Sequence, residues 1–357
     1  DKSRASDSAA HSIIILFIAS IILTLIFLVI QEPLLRIYGA SGTALEEALS
    51  YSTPLFLGLI GIMFANGASG ILRGEGDMKR AMYAVVVSVI LNAILDPIFI
   101  YTFGLGAAGA AIATVLSSLI SAIVILYWLL IKKDTYVDIN LRKFKFNSKI
   151  TRNILKVGIP ASLDMFIMSI AVALYLIFIT IISGDYGVAA YTSGQRIYLF
   201  AIMPLTAIGT AVVAVCGSAF GAENGDYLSR AHKYGAKFGI LFGLAVTIIV
   251  VLFATPIASI FAYTPETSHL VSGIALFLQF AFLLIQLTGA EMTSSFLYQG
   301  IGRGVTSLFF TIFREVICTV ILTYLFGIVL GWGLIGIWIG LAVGRSIASI
   351  VNYIYGR

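Results

Sequence analysis

Apolar residues run along this chain in long, nearly unbroken stretches, and polar residues collect in short segments between them. Ten apolar stretches are each long enough to cross a bilayer, which takes about 20 residues of helix. They lie near 9–31, 45–72, 79–103, 108–131, 152–182, 187–217, 230–255, 268–298, 305–328 and 333–355. Strands of a closed barrel alternate with period two and run about 10 residues, which is not this pattern. Lipid gives backbone N–H and C=O groups no partners, so helices are what remains. The pattern predicts an all-α integral membrane protein with ten transmembrane helices. Composition agrees. The chain is 60% hydrophobic and 11% charged, against roughly 25% charged residues in a soluble domain. Cys216 and Cys318 both fall inside apolar helices and read as small core residues.

The net charge of +5 gains meaning once the basic residues are sorted by side. With ten crossings, every loop Lys and Arg except Arg36 falls on one face, while Arg196, Arg314 and Arg345 lie inside helices. Such a split marks the basic face as cytoplasmic. Both chain ends are then expected in the cytoplasm and the helices in the cell (inner) membrane. The same regular recurrence argues against a nucleic-acid partner, because the charges return at each inner loop rather than forming one patch.

The chain also repeats itself. SGILRGEGDMKR (69–80) and SSFLYQGIGRGV (294–305) align so that Gly74 and Gly76 match Gly300 and Gly302, 226 residues on. QEPLLRIYGAS (31–41) pairs with ATPIASIFAYT (254–264), and FGLGAAGAAIA (103–113) with LGWGLIGIWIG (330–340). Two halves in parallel orientation are a known transporter plan. The expected organisation is an N-terminal lobe over 1–132 with four helices, a cytoplasmic linker over 133–149 and a C-terminal lobe over 150–357 with six. The four helices match the last four of the six. Two pseudo-symmetric lobes would have twelve helices, which places the first two upstream of Asp1; the alternative is a natural ten-helix protein.

Within the apolar stretch NAILDPIFIY (92–101) stands one carboxylate, Asp96. A charge at the bilayer centre costs at least about 2.5–3.5 kcal/mol on insertion scales, and intramembrane ionisable residues usually work in a site. Asn92 is one helical turn before Asp96 and Ser88 one turn before that, so the three form a polar stripe on one face. Asp96 lies about 12 Å of helix from the turn at Gly104, and Thr114 about 9 Å into the next helix. Tyr51, near the start of the second apolar run, falls at a similar level. Pro97 follows at once; it lacks an N–H and clashes with the carbonyl of Ala93, which predicts a kink. The competing reading is that Asp96 and Asn92 only tie helices together. In the second half, Asp164 and Glu291 form either a second acidic site or a helix tie. Gln279 and Gln286, seven residues apart, are candidates to line a cavity. Arg314 and Glu315 are adjacent, which predicts that each pairs elsewhere, with Arg345 as a partner for Glu315.

The motifs PLLRIYGA (33–40), SGILRGEGDMKRAM (69–82), NAILDPIFIY (92–101), GAAGAAIAT (106–114), VGIPASL (157–163) and CGSAFGAENGD (216–226) occur in an order that resembles the multidrug and toxic compound extrusion (MATE) family of antiporters. The likeness covers essentially the whole chain. It implies two six-helix lobes around a cavity and export of cationic, amphipathic compounds against inward H⁺ or Na⁺, with no cofactor. The prokaryotic branch related to the DNA-damage-inducible group uses an acidic site in its first lobe. Asn92, Asp96 and Thr114 match that pattern as the ion-coupling residues, with Asp96 able to suit Na⁺ as well as a proton. Tyr51, Ser88, Asn92, Asp96, Gln279 and Gln286 are the residues expected to meet substrate. Two other readings compete. A flippase for lipid-linked saccharides of the same superfamily needs cavity cations, for which Arg196, Arg314 and Arg345 are available. An intramembrane aspartyl protease is suggested by GEGD (74–77), but Asp77 sits in a charged loop beside Lys79 and Arg80, so no enzyme is expected.

Overall fold

The computed structural model describes residues 2–37, 40–132, 134–140 and 144–356. Parts of two expected features therefore lie outside the described residues: positions 38 and 39 of the PLLRIYGA motif, and positions 133 and 141–143 of the linker. The chain divides into two compact units, Asp1–Ile154 and Leu155–Arg357.

The first unit holds α1 (Lys2–Ile37), α2 (Gly42–Leu57), α3 (Leu59–Gly74), α4 (Met78–Pro97) and α5 (Gly106–Leu126). α5 is its centre, packed against α2, α3 and α4. Its small buried residues, Gly109, Ala111, Ala113, Ser117, Ser121 and Ala122, let the neighbouring helices approach. Without the usual hydrophobic drive, helices in lipid associate through such close packing. α4 begins at Asp77, whose side chain accepts the Arg80 backbone N–H at 3.1 Å. That N-cap role satisfies a free helix donor and gives the loop acid a structural part. The described part of the linker is held to this unit. His11 Nε2 accepts the Asn147 N–H at 2.9 Å while its Nδ1 meets the Asp7 carbonyl at 2.7 Å. The Val137 N–H donates to Glu75 Oε2 at 3.1 Å, and burial pushes the Glu75 carboxyl up from its ordinary range.

The second unit holds α6 (Ser148–Gly221), α7 (Gly225–Leu252), α8 (Ala254–Phe261), α9 (Val271–Leu283), α10 (Ile285–Gly300), α11 (Gly304–Ile312), α12 (Ile321–Tyr324) and α13 (Gly333–Gly356). α6 starts just before the boundary between the units and contains two of the expected spans, divided at Gly184, whose φ of 54° suits glycine. Its core is aromatic: Tyr191 stacks on Trp338 at 6.0 Å between centroids and meets Phe277 edge-on at 5.4 Å. With α6 counted as two arms and each bent pair as one crossing, the predicted runs all find a helix.

The repeat is visible inside each unit. α2 and α3 meet at Gly58 with a bend of 53°, and the α9 segment meets α10 at Leu284 with a bend of 52°. Gly58 and Leu284 stand 226 residues apart, the offset of the loop glycines. Gly76 and Gly302 both take left-handed φ values, 90° and 77°. Segments Ile98–Thr102 and Leu325–Val329 both have π-helical geometry. The match fails over Phe313–Val320, which is π-helical in the second unit where the first has regular α-helix.

α7 and α10 approach closely at a pair of glycines. A Cβ on Gly289 would lie 2.5 Å from the Gly239 carbonyl oxygen, and one on Gly239 would lie 3.0 Å from the Gly289 carbonyl. Gly289→Ala is expected to cost about 1–3 kcal/mol through overpacking, seen as a lowered thermal unfolding midpoint in detergent. An unchanged midpoint would mean these helices part freely.

Candidate functional site

In the first unit, α4 and α5 bring together the three residues expected to couple ion movement. Asn92 Nδ2 donates to Asp96 Oδ1 at 3.3 Å and to Thr114 Oγ1 at 3.4 Å. Thr114 spends its own proton on the Ala110 carbonyl, at 3.0 Å, so its oxygen is left to accept. The helical register explains the first contact, since residues four apart share a face. The second needs α5 close to α4. A Cβ at Gly109 would sit 2.7 Å from the Phe99 carbonyl carbon and oxygen, so glycine there sets the approach. Asn92, Asp96 and Thr114 are all half-buried. Among the described residues no cation lies within 4 Å of the Asp96 carboxylate, since no ion pair includes it. Regular α-helix ends at Pro97, and Ile98–Thr102 follow with π geometry. Such bulges recur at functional sites, because they leave carbonyls underused. Ser88 is half-buried and Tyr51 exposed, and neither makes a hydrogen bond to the cluster.

The second unit holds an ion network around a cavity of about 290 Å³. Arg314 Nη1 pairs with Glu291 Oε1, and Arg314 Nε donates to Glu315 Oε1 at 2.8 Å. Tyr175 donates its hydroxyl to Glu315 Oε2 at 2.8 Å. The expectation that adjacent Arg314 and Glu315 do not pair with each other is thus corrected, while Arg314 does also find a partner elsewhere, in Glu291. That expectation assumed α-helical geometry, whereas Phe313–Val320 has π geometry, as the Thr319 hydroxyl bond to the Arg314 carbonyl five residues back also shows. Arg345 does not pair with Glu315 within 4 Å; its guanidinium lies 5.2 Å from the Tyr198 ring centroid. Glu291 therefore ties α10 to the π segment. Asp164 is different: it is buried, accepts Ser307 Oγ at 3.3 Å through Oδ2, and leaves Oδ1 without a partner.

The two glutamines do not share one straight helix, because the break at Leu284 comes between them. Gln279 is exposed. Gln286 accepts from Thr247 Oγ1 at 3.0 Å and donates to the Leu283 carbonyl at 3.0 Å, which makes it a link between α7 and α10. Arg196 is exposed. Tyr175 escaped the sequence reading. Nothing in its apolar surroundings marks it, and its partner comes from 140 residues away.

The MatE family profile matches residues 1–98 and 160–325. A probable multidrug resistance protein, YoeA of Bacillus subtilis, is 26% identical over 288 residues, covering 78% of this chain and 62% of its own length. The probable multidrug resistance protein NorM of Thermotoga maritima is 26% identical over 368 residues, covering all of this chain and 77% of its own. A solved outward-facing structure of a multidrug resistance MATE family transporter of the MOP superfamily is 40% identical, with a TM-score of 0.96 over 100% of this chain and 79% of that one.

Proposed function

The chain belongs to the MatE family, and from that premise we propose that it is a secondary active exporter of cationic, amphipathic compounds. Inward movement of H⁺ or Na⁺ drives it by alternating access, across a cell membrane with both chain ends in the cytoplasm. The observation that carries this reading is the Asn92–Asp96–Thr114 cluster, a carboxylate in an apolar span with no ion pair among the described residues. Such a group holds a cation when ionised and releases it when neutralised. For export to couple, the cargo must bind the two protonation states with different free energy.

The amide orientation bears on which ion is used. As placed, Asn92 turns its N–H groups toward Asp96 and Thr114. A proton added to Asp96 is compatible with that arrangement. A hard cation wants oxygens around it, which calls for the amide to rotate half a turn and present Oδ1. Of the three arginines that a pyrophosphate-bearing cargo would call on, Arg314 is already engaged by two glutamates.

Efflux of tetraphenylphosphonium from liposomes, with a pH gradient and a sodium gradient imposed separately, tests the reading. One gradient should drive export and identify the ion. Export that follows neither gradient would remove the antiport mechanism.

A further inference from the structure

The first turns of α7 carry three cations that the fold leaves unused. Arg230, Lys233 and Lys237 follow one another at spacings of three and four, so they share one face of the helix. All three are exposed, and none of their side chains enters an ion pair or a ring contact among the described residues. The acids nearest along the chain, Glu223 and Asp226, are also exposed and form no ion pair with them. His232 turns away, and its Nε2 meets Ser294 Oγ at 2.9 Å. Beside the cations runs a groove of about 700 Å³ between α7 and the second arm of α6. Its floor is apolar, with Val212 and Val215 from α6 and Phe238 from α7. Gly235 sets its depth, since a Cβ there would lie 2.8 Å from Val212 Cγ2. Tyr227 and Tyr234, both exposed, line it together with the cations. A ring with one apolar and one wet end suits a membrane–water interface.

We infer that this groove binds an anionic phospholipid, with its phosphate held by Arg230, Lys233 and Lys237 and its acyl chains laid along Val212, Val215 and Phe238. Basic pockets between helices at a membrane face take such head groups. Arg230 and Lys237 are about 10 Å apart in helix rise, and a head-group layer is roughly 5–8 Å deep on each side of a bilayer. Long Lys and Arg stems let the three charged ends gather within that layer. The sidedness of basic loops does not account for the cluster. The proline motifs pair α7 with α1 at an offset of 223, which sets Asp7, Ala10 and Ile14 against Arg230, Lys233 and Lys237. The equivalent helix thus has an acid, a small residue and an apolar one where α7 has three cations. Charge and apolar surface together choose the occupant. A free phosphate or a nucleic acid has nothing to lay on the floor, and a zwitterionic lipid brings a cation of its own. An anionic lipid meets both surfaces. The inference goes beyond the exporter reading, because the groove shares no residue with the Asn92–Asp96–Thr114 cluster and needs neither ion nor cargo.

Native mass spectrometry of the whole protein in neutral detergent tests it by counting retained lipids. Phosphatidylglycerol and phosphatidylcholine with matched chains are titrated separately. The unaltered protein should bind its first phosphatidylglycerol at least about tenfold more tightly than phosphatidylcholine. One cation near a membrane surface is worth about fivefold in affinity, so Arg230→Gln, Lys233→Gln and Lys237→Gln together should remove the preference. A control of equal charge, Lys79→Gln with Arg152→Gln and Lys156→Gln, alters exposed cations elsewhere and should keep it. Equal affinity for the two lipids in the unaltered protein overturns the inference, and that arm needs no variant to fold. Equal loss of preference in the control also overturns it, since net charge rather than the groove would then attract the lipid. Glycerol phosphate, a head group without chains, should not bind at the same concentration; if it binds as tightly as the lipid, the groove is a site for soluble phosphate. Tetraphenylphosphonium efflux has no part in this test, so the lipid site and the exporter reading fail separately.

Discussion

Asp96→Asn is expected to abolish gradient-driven export of a cationic drug while leaving the amount of protein in the membrane unchanged. The two side chains have the same shape, so packing between α4 and α5 is preserved. Asp96 is half-buried and makes no ion pair among the described residues, so the loss of its charge leaves no partner stranded. What disappears is the change of charge. A unit charge about 4 Å from a cation gains roughly 4 kcal/mol at an effective dielectric of 20, which is about a thousandfold in affinity. A neutral amide offers that gain in neither state of the cycle, so cargo binding no longer depends on the ion gradient. Whole-cell accumulation of a fluorescent cation should rise to the level of cells without the exporter. Thr114→Val is a milder change. It removes one oxygen that orients Asn92 but leaves the carboxylate, so partial export should persist. Normal efflux by the Asp96→Asn protein would mean that the carboxylate is a passive helix tie.

That first-lobe cluster was legible in the sequence because its logic is local. Asn92 and Asp96 are four residues apart on one helix, and Thr114 could be levelled with them by counting rise from a glycine turn. The observed bonds follow that count. The transmembrane runs were legible for the same reason, since a twenty-residue apolar stretch in lipid has few alternatives to helix. The breaks were harder to see. Gly58 and Leu284 have unlike side chains yet bend their helices by similar angles, so no residue type signals the bend; only the repeat offset connects them. The second-lobe network was the least legible part. Its key feature is a π-helical turn, which carries the bonded neighbours Arg314 and Glu315 and which the residue pattern does not announce. Tyr175 and Glu315 meet across two distant helices, and Gln279 and Gln286 were separated by a break that their seven-residue spacing concealed. Chemistry that depends on tertiary contact or on irregular helix geometry has no periodicity to read.

Arg314→Met should be the most destabilising single change in the second unit, by about 3–5 kcal/mol. Arg314 alone faces two acids, Glu291 on α10 and Glu315 in the π segment, and both are buried, at 2% and 4% exposure. The methionine fills much the same space and suits the apolar surroundings, so the loss is chiefly electrostatic. Two carboxylates are left in a low-dielectric interior, one of them with the Tyr175 hydroxyl as a donor. The damage also spreads, because the network joins α6 through Tyr175, α10 through Glu291 and the segment that carries Glu315. A large drop in the thermal unfolding midpoint is expected, together with a loss of purified yield. Combining Arg314→Met with Glu291→Gln should recover part of the loss, since it removes one of the stranded charges, and the recovered part measures their coupling. Tyr175→Phe should cost less, about 1 kcal/mol, as it deletes one hydrogen bond and no charge. An Arg314→Met protein as stable as the parent would show that the pairing contributes nothing net, the outcome known for some buried ion networks replaced as a whole. The distinction lies in what remains: replacing all members leaves no orphan, whereas replacing Arg314 alone leaves two.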